Sequence, residues 1–239
     1  MLEEGSEVSL RGGLTDPGSE DWFRDFLWEV AFGGQRVASG STQDFTFTPA
    51  DDGTYLVTFT AQDKDGASSN VAQRELVVAN VAPTTMILNA PAAVAEGTWI
   101  SLSSAVTDAG VGDTFQNYAW SVTRDGQPVA LDQRTVTNEP TFAFTPTGEG
   151  QYVVKLTVED NGGLRSAPAE VTINVANIAP LVVIEGLPVG DVFEGDQLEL
   201  SAKVSDPGVE QFAYRWTVTR DGQAFDLPGG REATSPCLR

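Results

Sequence analysis

The sequence repeats one pattern three times, and this internal repeat constrains the fold more than any other feature. Each copy begins with a Glu-Gly pair, at Glu4, Glu96 and Glu194. A turn of the form Thr/Ser-Asp-x-Gly follows, with its aspartate at Asp16, Asp108 and Asp206. The aspartates are 92 and 98 residues apart. Because solenoid repeats are about 20 to 50 residues long, a repeat of this length indicates one small domain per copy.

Within each copy, apolar residues alternate with polar or small residues. This period of two places the apolar side chains on one face of a β-strand, where they need a second sheet to cover them. Clusters of Gly, Pro, Asp and Asn separate these segments, and no long segment has helical periodicity. One alternating segment carries a tryptophan in every copy, at Trp28, Trp120 and Trp216. We therefore predict all-β sandwiches with these tryptophans in their cores.

The composition excludes several classes of function. The 239 residues contain 14 Lys+Arg and 34 Asp+Glu, which gives a net charge of −20, and there is no His. Such a chain repels nucleic acid and anionic membranes. The one cysteine, Cys237, cannot form an internal disulfide, and without His there is no typical zinc site or general base. The sequence has no apolar stretch of signal-peptide or membrane-spanning type, and we predict no catalytic residues and no membrane insertion in this segment.

Several phrases together resemble a known family. A Gly-x-Tyr segment enters a late strand at Tyr55 and Tyr152, an Asn-x-Ala-Pro junction begins at Asn80 and Asn177, and Phe-Thr-Pro precedes each Gly-x-Tyr. With the tryptophan strand, these resemble the PKD-type (polycystic-kidney-disease-like) domains of large bacterial surface and secreted proteins. The resemblance implies tandem immunoglobulin-like β-sandwiches, the last one truncated, and an extracellular or cell-surface location.

The landmarks predict three units. Residues 1–79 form a PKD-like sandwich that lacks its first strand, and residues 80–177 form a complete one whose first strand covers 85–88. Residues 178–239 form a truncated third unit with an irregular C-terminal tail. Because a sandwich without its last strands leaves its core open to water, we expect residues 181–239 to be poorly stable in isolation. The ends suggest an excerpt of a longer array, or a broken reading frame.

Acidic loops are the only candidate sites, and Ca²⁺ is the only candidate cofactor. Hard cations such as Ca²⁺ bind six to eight oxygen ligands, and the resemblance implies that they lie at a junction between domains. In the second unit the loops at one pole supply Asn80, Asp108, Asp113, Glu159, Asp160 and Asn161. In the first unit the corresponding acids are Asp16, Asp21, Asp63 and Asp65. The third unit offers only Asn177 and Asp206. Asp and Asn also form turns without any ion, which is the alternative reading.

Three functions are open at this point. The first is a non-catalytic spacer and interaction module whose partners are neighbouring repeats and a protein or polysaccharide ligand. The second is a calcium-dependent adhesion array with Ca²⁺ at the domain junctions. The third is a polymer-binding accessory module of a secreted hydrolase, for which Trp22 and Trp99 would be carbohydrate contacts. The acid pairs Glu3-Glu4 and Asp51-Asp52 lack a cleft for acid–base catalysis.

Overall fold

The structure is a computed structural model that describes residues 1–16, 22–225 and 236–238. All regular elements of the described residues are β-strands. Within those ranges there is accordingly no helix of the length and apolarity needed to span a membrane. The all-β prediction is confirmed.

The first unit pairs a five-stranded sheet with a two-stranded sheet. Its strands are β1 (Leu2–Glu3), β2 (Val8–Arg11), β3 (Phe23–Phe32), β4 (Gln35–Gly40), β5 (Asp44–Phe47), β6 (Gly53–Asp63) and β7 (Ala72–Ala79). The sheet orders are β1-β7-β6-β3-β4 and β2-β5. Trp28 on β3 is buried beside Phe45 and Phe59, its ring centroid lying 4.3 Å from that of Phe59. The sequence did not predict the short strand β1, which pairs with β7 in parallel.

The second unit repeats this arrangement and adds a strand. Its strands are β8 (Thr84–Leu88), β9 (Ala93–Ala95), β10 (Ile100–Thr107), β11 (Phe115–Arg124), β12 (Gln127–Pro128), β13 (Thr141–Phe144), β14 (Gly150–Asp160) and β15 (Ala169–Ala176). The sheet orders are β13-β10-β8 and β12-β11-β14-β15-β9. The predicted first strand is β8. Strand β9 pairs with β15 in parallel, as β1 pairs with β7.

In the second unit, the alternation of apolar and polar residues in the sequence corresponds to alternating burial of side chains along the strands. Along β14, Val154, Leu156 and Val158 are fully buried, and Trp120 on β11 lies opposite Leu156 in the strand register. Each such aliphatic side chain contributes about 1.5 to 3 kcal/mol when it is removed from water. Tyr152 is also buried, and its hydroxyl donates to the Gly148 carbonyl at 2.9 Å. The hydrophobic core of this unit therefore lies between its two sheets, as the period-two pattern predicts.

The apolar side chains of the third unit are more exposed to solvent than those of the first two units. Its strands are β16 (Leu181–Glu185), β17 (Leu200–Ser205), β18 (Val218–Arg220), β19 (Gln223–Phe225) and β20 (Cys237–Leu238). Among its described residues Trp216 is the only buried hydrophobic side chain, and the apolar residues of β16 are at least half exposed. Within the predicted irregular tail, Cys237–Leu238 pair with β17; residues 226–235 and 239 of that tail lie outside the described residues. The low stability of 181–239 stays a prediction.

Candidate functional site

The first and second units meet at a junction that backbone groups hold together. The N–H of Val81, in the linker after β7, donates to Oε1 of Glu4 at 2.7 Å. The N–H of Val111, in the loop between β10 and β11, donates to the carbonyl of Ala50 at 2.7 Å. The loop of the second unit therefore rests on the end of the first. Gly5 allows this approach because a Cβ there would lie 2.9 Å from that of Ala109.

Glu4 is the central acid of this junction. The parallel pairing of β1 with β7 continues one step further, since the Glu4 N–H donates to the Ala79 carbonyl at 3.2 Å. Glu4 is only 1% exposed, and its Oε2 has no hydrogen-bond partner among the described residues. Burial raises the pKa of Glu4, the Val81 N–H opposes that rise, and the charges of Asp113 and Asp108 add to it. To offset its burial, an ionised Glu4 carboxylate requires a cation or a hydrogen-bond donor in addition to the Val81 N–H.

Asp108 and Asp113 bring the second unit's acids to Glu4. Oδ1 of Asp108 accepts the N–H groups of Ala109 and Gly110 at 2.6 and 3.3 Å, which is the turn that the Asp-x-Gly motif predicts. Its Oδ2, and both carboxylate oxygens of Asp113, are buried without a partner within the described ranges. One oxygen from each of Glu4, Asp108 and Asp113 lies within 4.8 Å of the others. Burial first, and then the Asp108 charge, raises the pKa of Asp113.

Asp160 and Asn80 form a hydrogen-bonded pair near this cluster, since the charge of Asp160 also raises the pKa of Asp113. Asp160 is fully buried, and its two oxygens accept the Leu164 N–H at 2.9 Å and the Asn80 side-chain amide at 3.0 Å. The Asn80 carbonyl oxygen is thereby left buried and without a partner in the part of the chain that is described. Asp160 therefore orients Asn80, and Asn80 presents the oxygen that is free to bind a cation.

The other two predicted residues of this pole have structural roles. Oδ1 of Asn161 accepts the Thr114 N–H at 2.8 Å, so Asn161 fixes the loop that carries Asp113. Glu159 lies outside the cluster, where Oε2 pairs with Arg165 at 3.1 Å and Oε1 accepts from Asn117 at 3.2 Å. Of the predicted set, the structure brings Asp108 and Asp113 together with Glu4 and pairs Asn80 with Asp160.

Two further acids of the first unit extend the cluster. Asp51 and Asp52, in the turn before β6, form a second group with Glu4, in which one oxygen of each lies within 4.8 Å of the others. The Tyr55 hydroxyl donates to the Asp51 carbonyl at 2.8 Å and so fixes this turn. The junction therefore combines carboxylates from both units, with Glu4 common to both groups.

The second and third units meet in the same way. The Ile178 N–H donates to Oε1 of Glu96 at 2.7 Å, and the Val209 N–H donates to the Thr147 carbonyl at 2.9 Å. Glu96 is 1% exposed and its Oε2 has no partner in the described residues. Here the group of three acids consists of Glu96, Glu149 and Glu210. Asn177, predicted as a counterpart of Asn80, is exposed.

Of the acids predicted at the pole of the first unit, Asp63 stabilises a turn. Oδ1 of Asp63 accepts the N–H groups of Asp65 and Ala67, each at 2.9 Å, and these bonds lower the pKa of Asp63. The Asp65 carboxylate pairs with Lys64 at 2.7 Å. Asp16 is exposed, and Asp21 lies outside the described residues. No group of three acids within the described ranges includes Asp16, Asp63 or Asp65.

The glutamate that closes each junction was not predicted as a site residue. Glu4 and Glu96 belong to the recurring Glu-Gly pair, which marked the repeat without being assigned a role. The recurrence of a glutamate at the same position of each repeat could have indicated a role, because neither a turn nor the start of a strand requires an acid. Four other acids had no such signal, because they come together only where two units are in contact: Asp51, Asp52, Glu149 and Glu210. Trp22 and Trp99 are 58% and 67% exposed and lie outside these groups of acids.

Comparison with known families identifies the second unit. Residues 90–175 match the family model described as the K319L-like PKD domain. The second unit is a PKD-like domain. This confirms the resemblance drawn from the sequence, and the strand order of the first unit shows the same sandwich. No curated protein matches the chain.

Solved structures of similar fold include fibronectin(III)-like and immunoglobulin domains. The fibronectin(III)-like modules of Clostridium thermocellum CbhA are 18% identical, with a TM-score of 0.31, and the match covers 73% of this chain and 87% of that one. The amphioxus IgVJ-C2 molecule is 15% identical, with a TM-score of 0.34 and coverage of 72% and 98%. The D00-D0 domain of Intimin is 15% identical, with a TM-score of 0.28 and coverage of 70% and 93%.

Proposed function

We propose that this chain is a non-catalytic spacer and interaction module of an extracellular or cell-surface protein, with neighbouring repeats as its partners. The observation that carries the proposal is the pair of bonds across each junction, from Val81 to Glu4 and from Val111 to Ala50 at the first and their counterparts at the second. Such bonds restrict bending between consecutive units, and Pro83 in the linker restricts it further because its φ is fixed. The acidic surface of the chain opposes association between copies.

Small-angle X-ray scattering of the full chain tests the spacer role. We expect the curve to fit a narrow range of inter-unit angles. A variant with four Gly-Ser residues inserted after Pro83 is the control, because it allows Val111 to leave Ala50 while the bond between Val81 and Glu4 is kept, and its curve should require a broad range of angles. If the wild-type chain needs the same broad range as the insertion variant, the junctions do not restrict bending and the proposal is wrong.

A second proposal concerns the first junction: it binds a hard divalent cation, Ca²⁺, which stiffens the array for adhesion. Its support is the set of buried oxygens without partners on Glu4, Asn80, Asp108 and Asp113. These are carboxylate and amide oxygens, the donors that Ca²⁺ takes at six to eight positions. An ion would neutralise acids whose mutual repulsion opposes docking of the two units, and backbone carbonyls and water would complete its coordination.

Thermal melting in a calcium titration tests this site. An ion that binds only the folded junction stabilises it by about 1.4 kcal/mol at ten times its dissociation constant. We expect the melting temperature to rise with millimolar Ca²⁺, and the rise to shrink in Asp108→Asn, which keeps the turn-forming oxygen and removes the charge. Glu159→Gln is the matched control, because Glu159 lies in the same pole outside the cluster. An unchanged melting temperature in the wild-type protein would contradict the calcium proposal.

A further inference from the structure

The junction between the second and third units contains a second group of acids, which the sequence analysis did not treat as a site. It combines two acids of the second unit, Glu96 and Glu149, with Glu210 of the third, and Asp206 of the third unit lies beside Glu96 at Gly208. The candidate ligands of the first junction are mostly aspartates and an asparagine around one glutamate. At this second junction the group consists of glutamates.

Glu96 shows why this group needs a ligand. Its Oε1 is used by the Ile178 N–H at 2.7 Å, and its Oε2 is buried without a partner among the described residues. That oxygen lies against the turn of the third unit, because a Cβ added to Gly208 would be 2.5 Å from it. A carboxylate that is 99% shielded from water, with one oxygen unsatisfied, costs free energy unless a cation or proton binds it.

Asp206 repeats the geometry of Asp108. Its Oδ1 accepts the Gly208 N–H at 2.7 Å, and its Oδ2 is buried with no partner in the described part of the chain. The turn is fixed on the preceding unit by the Val209 N–H, as the Val111 N–H fixes the first junction. A Cβ added to Gly208 would lie 2.5 Å from Oε2 of Glu96 and 3.0 Å from Oδ1 of Asp206, so carboxylates of consecutive units lie beside the same glycine.

Glu149 and Glu210 complete the group from its exposed side. One oxygen of each lies within 4.8 Å of the other and of Glu96. Glu149 lies on a turn fixed by the Tyr152 hydroxyl bond to Gly148, and its Oε2 is 3.7 Å from Nη2 of Arg124. The pKa of Glu210 is raised by desolvation and by the charges of Asp206, Glu96 and Glu149. Three carboxylates thus face one another, with Asp206 beside them and Arg124 at the edge.

We propose that Glu96, Glu149, Asp206 and Glu210 form a second divalent-cation site, with Ca²⁺ as the cation that fits carboxylate oxygens from two units. The proposal rests on the proposed calcium role of the first junction for its chemistry, but on different residues. Access from the Glu149 and Glu210 side leaves room for water as further ligands, which Ca²⁺ accepts readily. The two Glu-Gly pairs would then each supply one ligand to the junction that follows.

Equilibrium dialysis of the full chain against Ca²⁺, with the bound metal counted, tests the proposal. The wild-type protein should bind two ions at saturation in the millimolar range. Glu96→Gln should bind one, because the amide keeps the acceptor for Ile178 and removes the charge, and Asp108→Asn should also bind one. The double variant should bind none. Glu194→Gln is the matched control, because Glu194 begins the third Glu-Gly pair but is exposed, and it should bind two.

The outcomes separate the two junctions. A wild-type protein that binds one ion, lost in Asp108→Asn and kept in Glu96→Gln, overturns the second site and leaves the first. One ion lost in Glu96→Gln and kept in Asp108→Asn supports the second site and overturns the first. No binding at all overturns both. If Glu96→Gln fails to fold by circular dichroism, Glu210→Gln replaces it, since this exposed side chain can be changed without opening the core.

Discussion

The two junctions share their backbone contacts and differ in their acids. In both, a buried glutamate of the preceding unit accepts a linker N–H at 2.7 Å, and a valine N–H of the following unit donates to a carbonyl of the preceding one. At the first junction the unpartnered oxygens include Asn80 and both oxygens of Asp113, which are shielded from water. At the second, Glu149 and Glu210 are exposed. The repeated motif therefore determines how the units meet, whereas the residues around it determine how closed the acidic cluster is.

We expect the largest effect from substituting two glycines, one at each junction. A Cβ at Gly110 would lie closer than van der Waals contact to Asp113 and 2.5 Å from Oε2 of Glu4; one at Gly208 would lie 2.5 Å from Oε2 of Glu96. Alanine at either position displaces the carboxylates, so we expect Gly110→Ala and Gly208→Ala each to weaken Ca²⁺ binding about 10- to 100-fold at its own junction. Equilibrium dialysis measures both affinities.

Gly13→Ala is the control for these variants, because nothing lies within 4 Å of a Cβ at that position. It should leave both affinities unchanged. If Gly110→Ala weakens binding at both junctions equally, the two clusters are coupled and the comparison between separate sites fails. If neither glycine variant changes binding, the carboxylates that face these glycines are not ligands.

A smaller effect is expected from pH in the absence of divalent cations. The pKa values of Glu4 and Asp113 are raised, so the folded protein binds their protons more tightly than the unfolded chain does. The free energy of unfolding should therefore increase as the pH falls through these raised values. Asp63 acts in the opposite sense, because its lowered pKa gives a contribution that is lost as the pH falls further. Denaturant unfolding between about pH 2.5 and pH 8 in EDTA measures the combined profile, because Asp and Glu ordinarily titrate near pH 4 and the range must extend to both sides of that value.

Asp113→Asn should flatten that profile, whereas Glu210→Gln should change it little, because an exposed acid is screened by water. Saturating Ca²⁺ should also remove the increase at low pH, since protons then compete with the ion for the same oxygens. A free energy of unfolding that only decreases as the pH falls from 8 would contradict the raised pKa values at the first junction.

The sequence predicted the fold better than the site, for physical reasons. The alternation of apolar and polar residues around Trp28 and Trp120 shows which face of each strand is buried. This can be predicted because it depends only on residues that are adjacent in the sequence. Asp108 could be predicted because its turn recurs at the same spacing. Glu4 could not be assigned, because its environment exists only when the next unit supplies Val81 and Asp108. The orientation of Asn80 by Asp160 depends on two residues 80 positions apart.

The position of the glutamate in each unit also gives the array a direction. A unit such as the second carries Asp108 at the end that meets the unit before it and Glu96 at the end that meets the unit after it. The contact between neighbours is thus heterologous, with different surfaces on its two sides. Units of this kind meet head to tail, and under the calcium proposal an excised single unit would hold two half-sites and no complete site. The number of bound ions would then count contacts between neighbours, one fewer than the number of units.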